Sequence, residues 1–495
     1  MNMYRYYYRK SASLTLAGIV LSGTLLSHCG SGKESSTGSS LSSSLPTITK
    51  VELNSSREII VTWSKSMDSQ SALTLSHYQL DQGLRVAGAK AINASGTQIA
   101  LYTDKNMLPK KTTLSVDSVL DTQGKASSSI SKEFTPTTKI VFVSQSSGIG
   151  KLSTWTFANG KSGIEAADSV CQKEAQDQGY TGTFLALLDD STRETYSELK
   201  NDQGGWTRTD GVTYVVSGDD LKNDKFRRTT VNTDAEGNVI NVGDIEIWTG
   251  LPSATNCNNW MDDTNTYQGT VARSSRSFTV GGAFTIANLA CDNVRQLLCI
   301  QDGAGLTIPS SEPAAIEAKT IFTTSEDGNG NLTTWSYTPP PGTVVPNGVK
   351  RADSICNKLA SDANLEGSFK ALLATSTGTT TNPINRLIST AGPYVTVTGQ
   401  KIADDLSQWS FSSATLDKDL ISTLIEDENG LASPNDIYII GNSPFSVASP
   451  KNCSNWTNTS SGNYYSSASP YTKGIGFLGG LQNCSQPGKI ICVED

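Results

Sequence analysis

Ala167-Asp-Ser-Val-Cys171-Gln-Lys-Glu-Ala-Gln-Asp-Gln-Gly-Tyr-Thr-Gly182-Thr-Phe184-Leu-Ala-Leu-Leu188 decides how the chain is read, because it occurs twice. The second version is Ala352-Asp-Ser-Ile-Cys356-Asn-Lys-Leu-Ala-Ser-Asp-Ala-Asn-Leu-Glu-Gly367-Ser-Phe369-Lys-Ala-Leu-Leu373. The two align without a gap, and twelve of the twenty-two positions are identical. Ala167, Val170, Cys171 and Ala175 recur at helical spacing, as do Ala352, Ile355, Cys356, Leu359 and Ala363. A break at Gly182 or Gly367 follows, then a Phe-x-Ala-Leu-Leu run that suits a buried strand. The expectation is a helix carrying a cysteine, followed by a core strand, at the start of each of two related domains.

The same order extends outward. From about Lys139 to Asp302, and again from about Lys319 to Asp495, each copy opens with a β-like run (Ile140–Val143; Thr320–Thr323) and a Trp (Trp155; Trp335). After the helix comes a long polar middle, then Cys-x-Asn-Trp (Cys257–Trp260; Cys453–Trp456), then a cysteine pair around a last strand (Cys291 and Cys299; Cys484 and Cys492). Cysteine spacings are 86, 34 and 8 in the first copy and 97, 31 and 8 in the second. Repeated even spacing in an exported chain implies disulfides rather than metal, although four cysteines allow three pairings. No Cys-x-x-Cys occurs, so zinc sites of the finger type are not expected. Matched positions assign Trp155, Trp335, Trp260 and Trp456 to core packing.

The N-terminus reads as a targeting segment. Arg5, Arg9 and Lys10 precede an apolar stretch from Ser11 to Leu26, too short for a comfortable membrane span and ending at Leu26-Ser27-His28-Cys29. This resembles a bacterial lipoprotein signal (1–28) with Cys29 acylated after cleavage, His28 standing where a small residue is usual. Cys29 to Leu45 is then a Ser-rich tether. Loss of three basic residues moves the formal charge from −8 to −11, a field that does not favour nucleic acid or anionic membrane surfaces.

Residues 46–136 read as a small all-β module with alternating runs at Ile59–Trp63, Gln98–Tyr102 and Thr113–Val116. Trp63-Ser-Lys-Ser-Met-Asp68, Tyr78 and Asp117–Gly124 resemble bacterial Ig-like sandwich modules, which usually act as spacers. Gly303 to Ala318 reads as a linker.

Ala-Asp-x-x-Cys, Gly-Thr-Phe-x-Ala-Leu-Leu and the closing Cys…Leu-Cys-Ile resemble endostatin, a C-type-lectin-like domain, and above all the leptospiral endostatin-like lipoprotein family. The implied fold is multidomain: an N-terminal Ig-like sandwich, then two α+β endostatin-like domains over 139–302 and 319–495. The resemblance implies nested bridges: Cys171–Cys299 around Cys257–Cys291, and Cys356–Cys492 around Cys453–Cys484. Closing a loop of more than a hundred residues stabilises by about 4–5 kcal/mol in the chain-entropy view. It also implies an outer-membrane, lipid-anchored and surface-exposed protein that binds host laminin and fibronectin, and complement factor H or plasminogen.

Candidate chemistry is sparse. His77 is the only histidine after His28 and falls in the N-terminal module, so no Ser-His or Cys-His arrangement is expected in the repeats. The acid pairs Asp189–Asp190, Asp219–Asp220 and Asp262–Asp263 lie in the first repeat; Asp262 and Asp263 would carry any glycosidase-type activity. Trp260-Met-Asp-Asp263 and Gln486-Pro487-Gly488 do not complete the calcium site of sugar-binding lectins, and no histidine matches the zinc ligands of endostatin. No catalytic residue, metal ligand or cofactor is therefore assigned. The cationic run Lys222, Lys225, Arg227 and Arg228, with Arg273 and Arg276, is the candidate ligand-binding patch. Binding to glycans, or a purely architectural role in the envelope, are the alternatives to binding host proteins.

Overall fold

The computed structural model describes residues 44–194, 199, 204–218, 221, 229, 231–238, 240, 246–250, 255–273, 285–309, 318–336, 347–375, 383–406, 424, 426–431, 438–439, 452–460, 464–468 and 478–495. The N-terminal module is built from β1 (Ile48–Ser55), β2 (Glu58–Trp63), α1 (Ser69–Ala72), β3 (Tyr78–Leu80), β4 (Val86–Ala91), β5 (Gln98–Thr103), β6 (Thr112–Val116) and β7 (Ile130–Phe134). Alternation of apolar and polar residues puts Ile59, Val61, Ile99 and Leu101 of the sheet β1-β2-β5-β4 against Tyr78, Leu114 and Val116 of the sheet β3-β6-β7.

This module is bonded to the repeat that follows it. The fully buried Asn106 accepts from Ser56 Oγ at 2.6 Å and donates to Gly211 O at 3.0 Å and Thr213 Oγ1 at 2.9 Å. Lys110 Nζ sits 4.1 Å from the centre of the Tyr180 ring, and burial lowers its pKa. Residues 303–309, read from composition as linker, run back along the module: Leu306 N donates to Thr137 O at 3.2 Å and Ser56 N to Thr307 O at 3.0 Å. Backbone bonding holds that stretch where its glycines would otherwise let it wander. The rest of the linker, 310–317, lies outside the described residues.

Both repeats are mainly sheet. The first contains β8 (Lys139–Gly148), α2 (Gly163–Asp177), β9 (Thr183–Ala186), β10 (Trp206–Arg208), β11 (Thr213–Val215), β12 (Glu246–Trp248), β13 (Gln268–Arg273), β14 (Thr285–Ala290) and β15 (Arg295–Asp302). The second contains β16 (Lys319–Thr323), α3 (Val349–Asp362), β17 (Phe369–Ala371), β18 (Ala391–Val395), β19 (Lys401–Asp405), β20 (Tyr438–Ile439), β21 (Tyr464–Ala468), β22 (Leu478–Asn483) and β23 (Lys489–Glu494). Strand order is β11-β10-β8-β15-β12-β13-β14 in one sheet and β19-β18-β16-β23-β20-β21-β22 in the other, with β9 added to β15 and β17 to β23. The two orders correspond strand for strand.

Central strands are buried on both faces, which explains their unbroken apolar runs. Ile140, Phe142, Leu297 and Cys299 face α2, whereas Val141, Val143, Leu298 and Ile300 face the opposite core. Phe322, Ile490 and Cys492, against Ile321, Ile491 and Val493, repeat the division in the second copy. A parallel pairing places Lys139 beside Trp206, its Nζ 3.6 Å from the ring centre, and Lys319 beside Tyr394. Burial, then the charges of Asp405, Asp495 and Glu494, pushes the Tyr394 hydroxyl up to about 12.

The Asp and Gln or Asn of the repeated helix seal the edge of the next strand. Beyond β15, β9 has no strand partner among the described residues, and its outward groups meet side chains instead. Ala186 N donates to Asp168 Oδ1 at 2.8 Å and Phe184 N to Gln172 Oε1 at 3.0 Å. Arg193 grips Asp168 through its two terminal guanidinium nitrogens, Nη1 at 2.6 Å and Nη2 at 3.1 Å, and Nη2 also donates to Ala186 O at 2.8 Å. In the second copy Ala371 N donates to Asp353 Oδ1 and Phe369 N to Asn357 Oδ1, both at 2.9 Å, while Arg386 holds Asp353 and Ala371 O. Between Asp168 and Gln172 on the same helix face, Cys171 is bridged to Cys299 on β15; Cys356 is bridged to Cys492 on β23. Inside these bridges lie Cys257–Cys291 and Cys453–Cys484.

Two further devices recur. Gly148-Ile-Gly150 and Gly328-Asn-Gly330 give the chain room: a Cβ on Gly148 or Gly328 would strike the Trp155 or Trp335 indole, and one on Gly150 or Gly330 would strike the Cys257 or Cys453 sulfur. Cys257–Trp260 forms one turn of left-handed helix, with φ of 49, 53, 56 and 61°, and Cys453–Trp456 another, with 52, 55, 59 and 67°. Such backbone costs about 1–2 kcal/mol per residue outside glycine. The flanking Asn256 and Asn452 side chains accept from the N–H groups of Asn259 and Asn455 at 3.0 and 3.1 Å.

Replacing Asp168 with Ala leaves the β9 N–H of Ala186 without its acceptor and the Arg193 guanidinium without its counter-charge. The expected loss is about 3 kcal/mol of local stability. It should appear as amide exchange at Ala186 faster by about two orders of magnitude, with a smaller effect for Asp168→Asn. In the N-terminal module, the Lys125 N–H above all, with the Gln123 N–H and the Lys65 charge, holds the Asp121 carboxyl below the usual carboxylate range despite opposing desolvation. A depressed folded pKa means the stabilisation is complete above the ordinary carboxylate value of about 3.9 and disappears as pH falls through the folded value. Acid titration of the module by circular dichroism should show that slope, and Asp121→Asn should flatten it.

Candidate functional site

Most of the sequence candidates among the described residues lie in the interior or hold turns. The eight paired cysteines and the four tryptophans are interior. Trp155 and Trp335 donate from the indole to Ile149 O and Asn329 O, both at 2.8 Å, and Trp260 and Trp456 to Asp189 O and Ala374 O at 3.0 and 2.8 Å. Each indole is therefore buried with its N–H satisfied, so these rings pack the core rather than face a ligand.

The acid pairs hold turns. Asp190 Oδ1 accepts from Thr192 N and Oγ1, both at 2.7 Å, and from Arg193 N at 2.9 Å, which sets the loop that delivers Arg193 to Asp168. Asp262 Oδ1 accepts from Thr264 N at 2.8 Å, and the exposed Asp263 pairs with Lys151 at 3.3 Å. His77 ends the short turn Leu75–His77 in the N-terminal module. Among the described residues no group of His, Cys, Asp and Glu is arranged to hold a metal ion. Cys29, Asp219, Asp220, Lys222, Lys225, Arg227, Arg228 and Arg276 lie outside the described residues; Arg273 ends β13 opposite Glu246.

A surface cleft of about 470 Å³ lies where α2 crosses the edge of β9 in the first repeat. Phe157, Asn159 and Lys161 from the loop before α2 line it, with Ser169, Lys173 and Gln176 on the helix and Thr183 on the strand. Its floor is the edge seal itself, Asp168 and Gln172 against Phe184. Phe157 is 40% exposed and has a φ of 71°, while Asn159 and Gly160 follow at 57 and 75°. A left-handed Phe is rare, and such strain concentrates at functional sites. Lys173 Nζ is 5.4 Å from the centre of the Phe157 ring and is paired with Asp177 on the next helical turn. The chemistry on offer is an exposed aromatic ring beside amide, hydroxyl and ammonium groups.

Sequence reasoning passed over Phe157 and the helix positions around it. A signal was present: an aromatic follows each repeated Trp by two, Phe157 after Trp155 and Tyr337 after Trp335. Ser169, Lys173 and Asp177 also recur unchanged as Ser354, Lys358 and Asp362.

No protein-family model matches the chain, and no curated protein does. Among solved structures, the bacterial S-layer protein rSbsC(31-844) aligns at 21% identity over 19% of this chain and 15% of its own, with a TM-score of 0.17. The N-terminal part of SbsC aligns at 20% identity over 20% and 26% of the two chains, with a TM-score of 0.18. SbsC domains 1-6 align at 15% identity over 62% and 32%, again at 0.18. The chain thus spans at most 32% of the length of these structures, and likeness at this level carries no functional argument.

Asp262 and Asp263 are surface groups whose bonds an amide largely reproduces. The double change Asp262→Asn/Asp263→Asn should shift stability by less than about 0.5 kcal/mol in denaturant titration.

Proposed function

We propose that this chain is a lipid-anchored outer-membrane protein displayed at the cell surface. Cys29 carries the acyl anchor, the Ser-rich segment lifts the cargo, and the N-terminal module serves as an Ig-like spacer. The two repeats are endostatin-like, C-type-lectin-like domains that bind host extracellular-matrix proteins, laminin and fibronectin, with complement factor H or plasminogen as further partners. One observation carries the reading: a disulfide-stapled domain, the same strand for strand, is present twice behind a lipoprotein-type signal. A rigid module in tandem suits extended, repetitive ligands, because a second contact made on the same chain is intramolecular and multiplies avidity. Four bridges suit an oxidising compartment outside the cytosol.

The full-length protein in detergent should bind immobilised laminin or fibronectin saturably, and bound palmitate should disappear in Cys29→Ala. Absence of saturable binding to laminin, fibronectin, factor H and plasminogen alike would leave only an architectural role in the envelope.

A further inference from the structure

We propose that the cleft between α2 and the edge of β9 is a binding site for a neutral saccharide, with Phe157 as the stacking platform. Two observations converge on it. A pyranose presents an apolar face of C–H groups and a rim of hydroxyls, so it calls for an exposed ring flanked by amides and hydroxyls. Phe157 supplies the ring, held outward by a left-handed backbone that only a surrounding constraint would retain. The side chains of Asn159, Gln176 and Thr183 line the same cleft and make no hydrogen bond among the described residues, so their polar groups are available to sugar hydroxyls.

Charge decides between a neutral and an acidic sugar. Asp168 is neutralised by Arg193 and Lys173 by Asp177, which leaves the exposed Lys161 as the one cation of the lining with no ion pair among the described residues. A single exposed lysine adds little for a carboxylate or sulfate, and the platform's neighbours Asn159, Gln176 and Thr183 are neutral amides and a hydroxyl.

The second copy repeats part of the lining at solvent-facing positions, where packing does not dictate identity, with Ser361 in place of Gln176. Ser169, Lys173 and Thr183 correspond to Ser354, Lys358 and Ser368, and the Lys–Asp pair recurs as Lys358–Asp362. Tyr337, which lies outside the described residues, is the counterpart of Phe157 in sequence. The floor is rigid, because Gln172 is fixed by Phe184 N at 3.0 Å and by Gly182 O at 3.2 Å. A preformed cleft loses little freedom when it binds.

Lactose, maltotetraose and chitotetraose, titrated calorimetrically into the full-length protein in detergent, test the site. At least one should bind, unaffected by excess chelator. Phe157→Ala should weaken that binding by about tenfold or more, and Phe157→Tyr should restore it to within about threefold. Should Phe157→Ala fail to fold, Phe157→Gly, which accepts the positive φ without strain, serves in its place with the same expected loss. No binding of any of the three sugars, binding indifferent to residue 157, binding abolished by chelator, or binding confined to a glucuronate-bearing hyaluronan tetrasaccharide would each overturn the assignment.

Discussion

A strand edge with no strand beside it sets the terms for both repeats. β9 and β17 each pair on one side only among the described residues, and an unpaired edge leaves backbone N–H and C=O groups that must be satisfied. One face of the adjoining helix answers this. Residues at positions i and i+4, Asp168 with Gln172 and Asp353 with Asn357, reach the edge N–H groups, and an arginine locks the aspartate. The cysteine at i+3 ties the same face to the last strand. Hydrogen bonds, an ion pair and a covalent bridge thus act on little more than one turn of helix and the sheet beneath.

With that helix fixed, the remaining devices have something to push against. The Gly-x-Gly segment lets an indole and a disulfide lie flat on the backbone, where any side chain would hold them off. The left-handed turn at Cys-x-Asn-Trp is unfavourable by itself. It persists in both copies because a bridge, an Asn cap and a buried Trp each fix part of it. The N-terminal module adds rigidity to the first repeat through the buried amide of Asn106 and the backbone of 303–309. A module bonded in this way transmits position instead of acting as a loose string.

That rigidity frames the functional reading. A surface cleft is useful for recognition when its floor does not move, and here the floor is the edge seal. On the two proposals made above, the polar, ring-bearing cleft and the tandem arrangement answer different needs: one would select a small ligand by chemistry, the other would multiply contacts to a large one.

Much of this was legible in the chain. Helical spacing around Cys171 and Cys356, the runs at Ile140 and Ile321, and the matched cysteine order located helices, central strands and the duplication, because periodicity and burial are written residue by residue. The arginine partners were not legible: Arg193 lies 25 residues after Asp168, whereas Arg386 lies 33 after Asp353, so no alignment of the copies places them together. The handedness of the Cys-x-Asn-Trp turn was equally hidden, since Asn only tolerates positive φ and the bridge and Trp impose it. By itself the sequence determined which residues are buried and which segments repeat. Only the tertiary structure decided what seals the edge of β9, which way the Cys257 turn winds, and that Phe157 stands over a cleft, because each depends on groups brought together from distant parts of the chain.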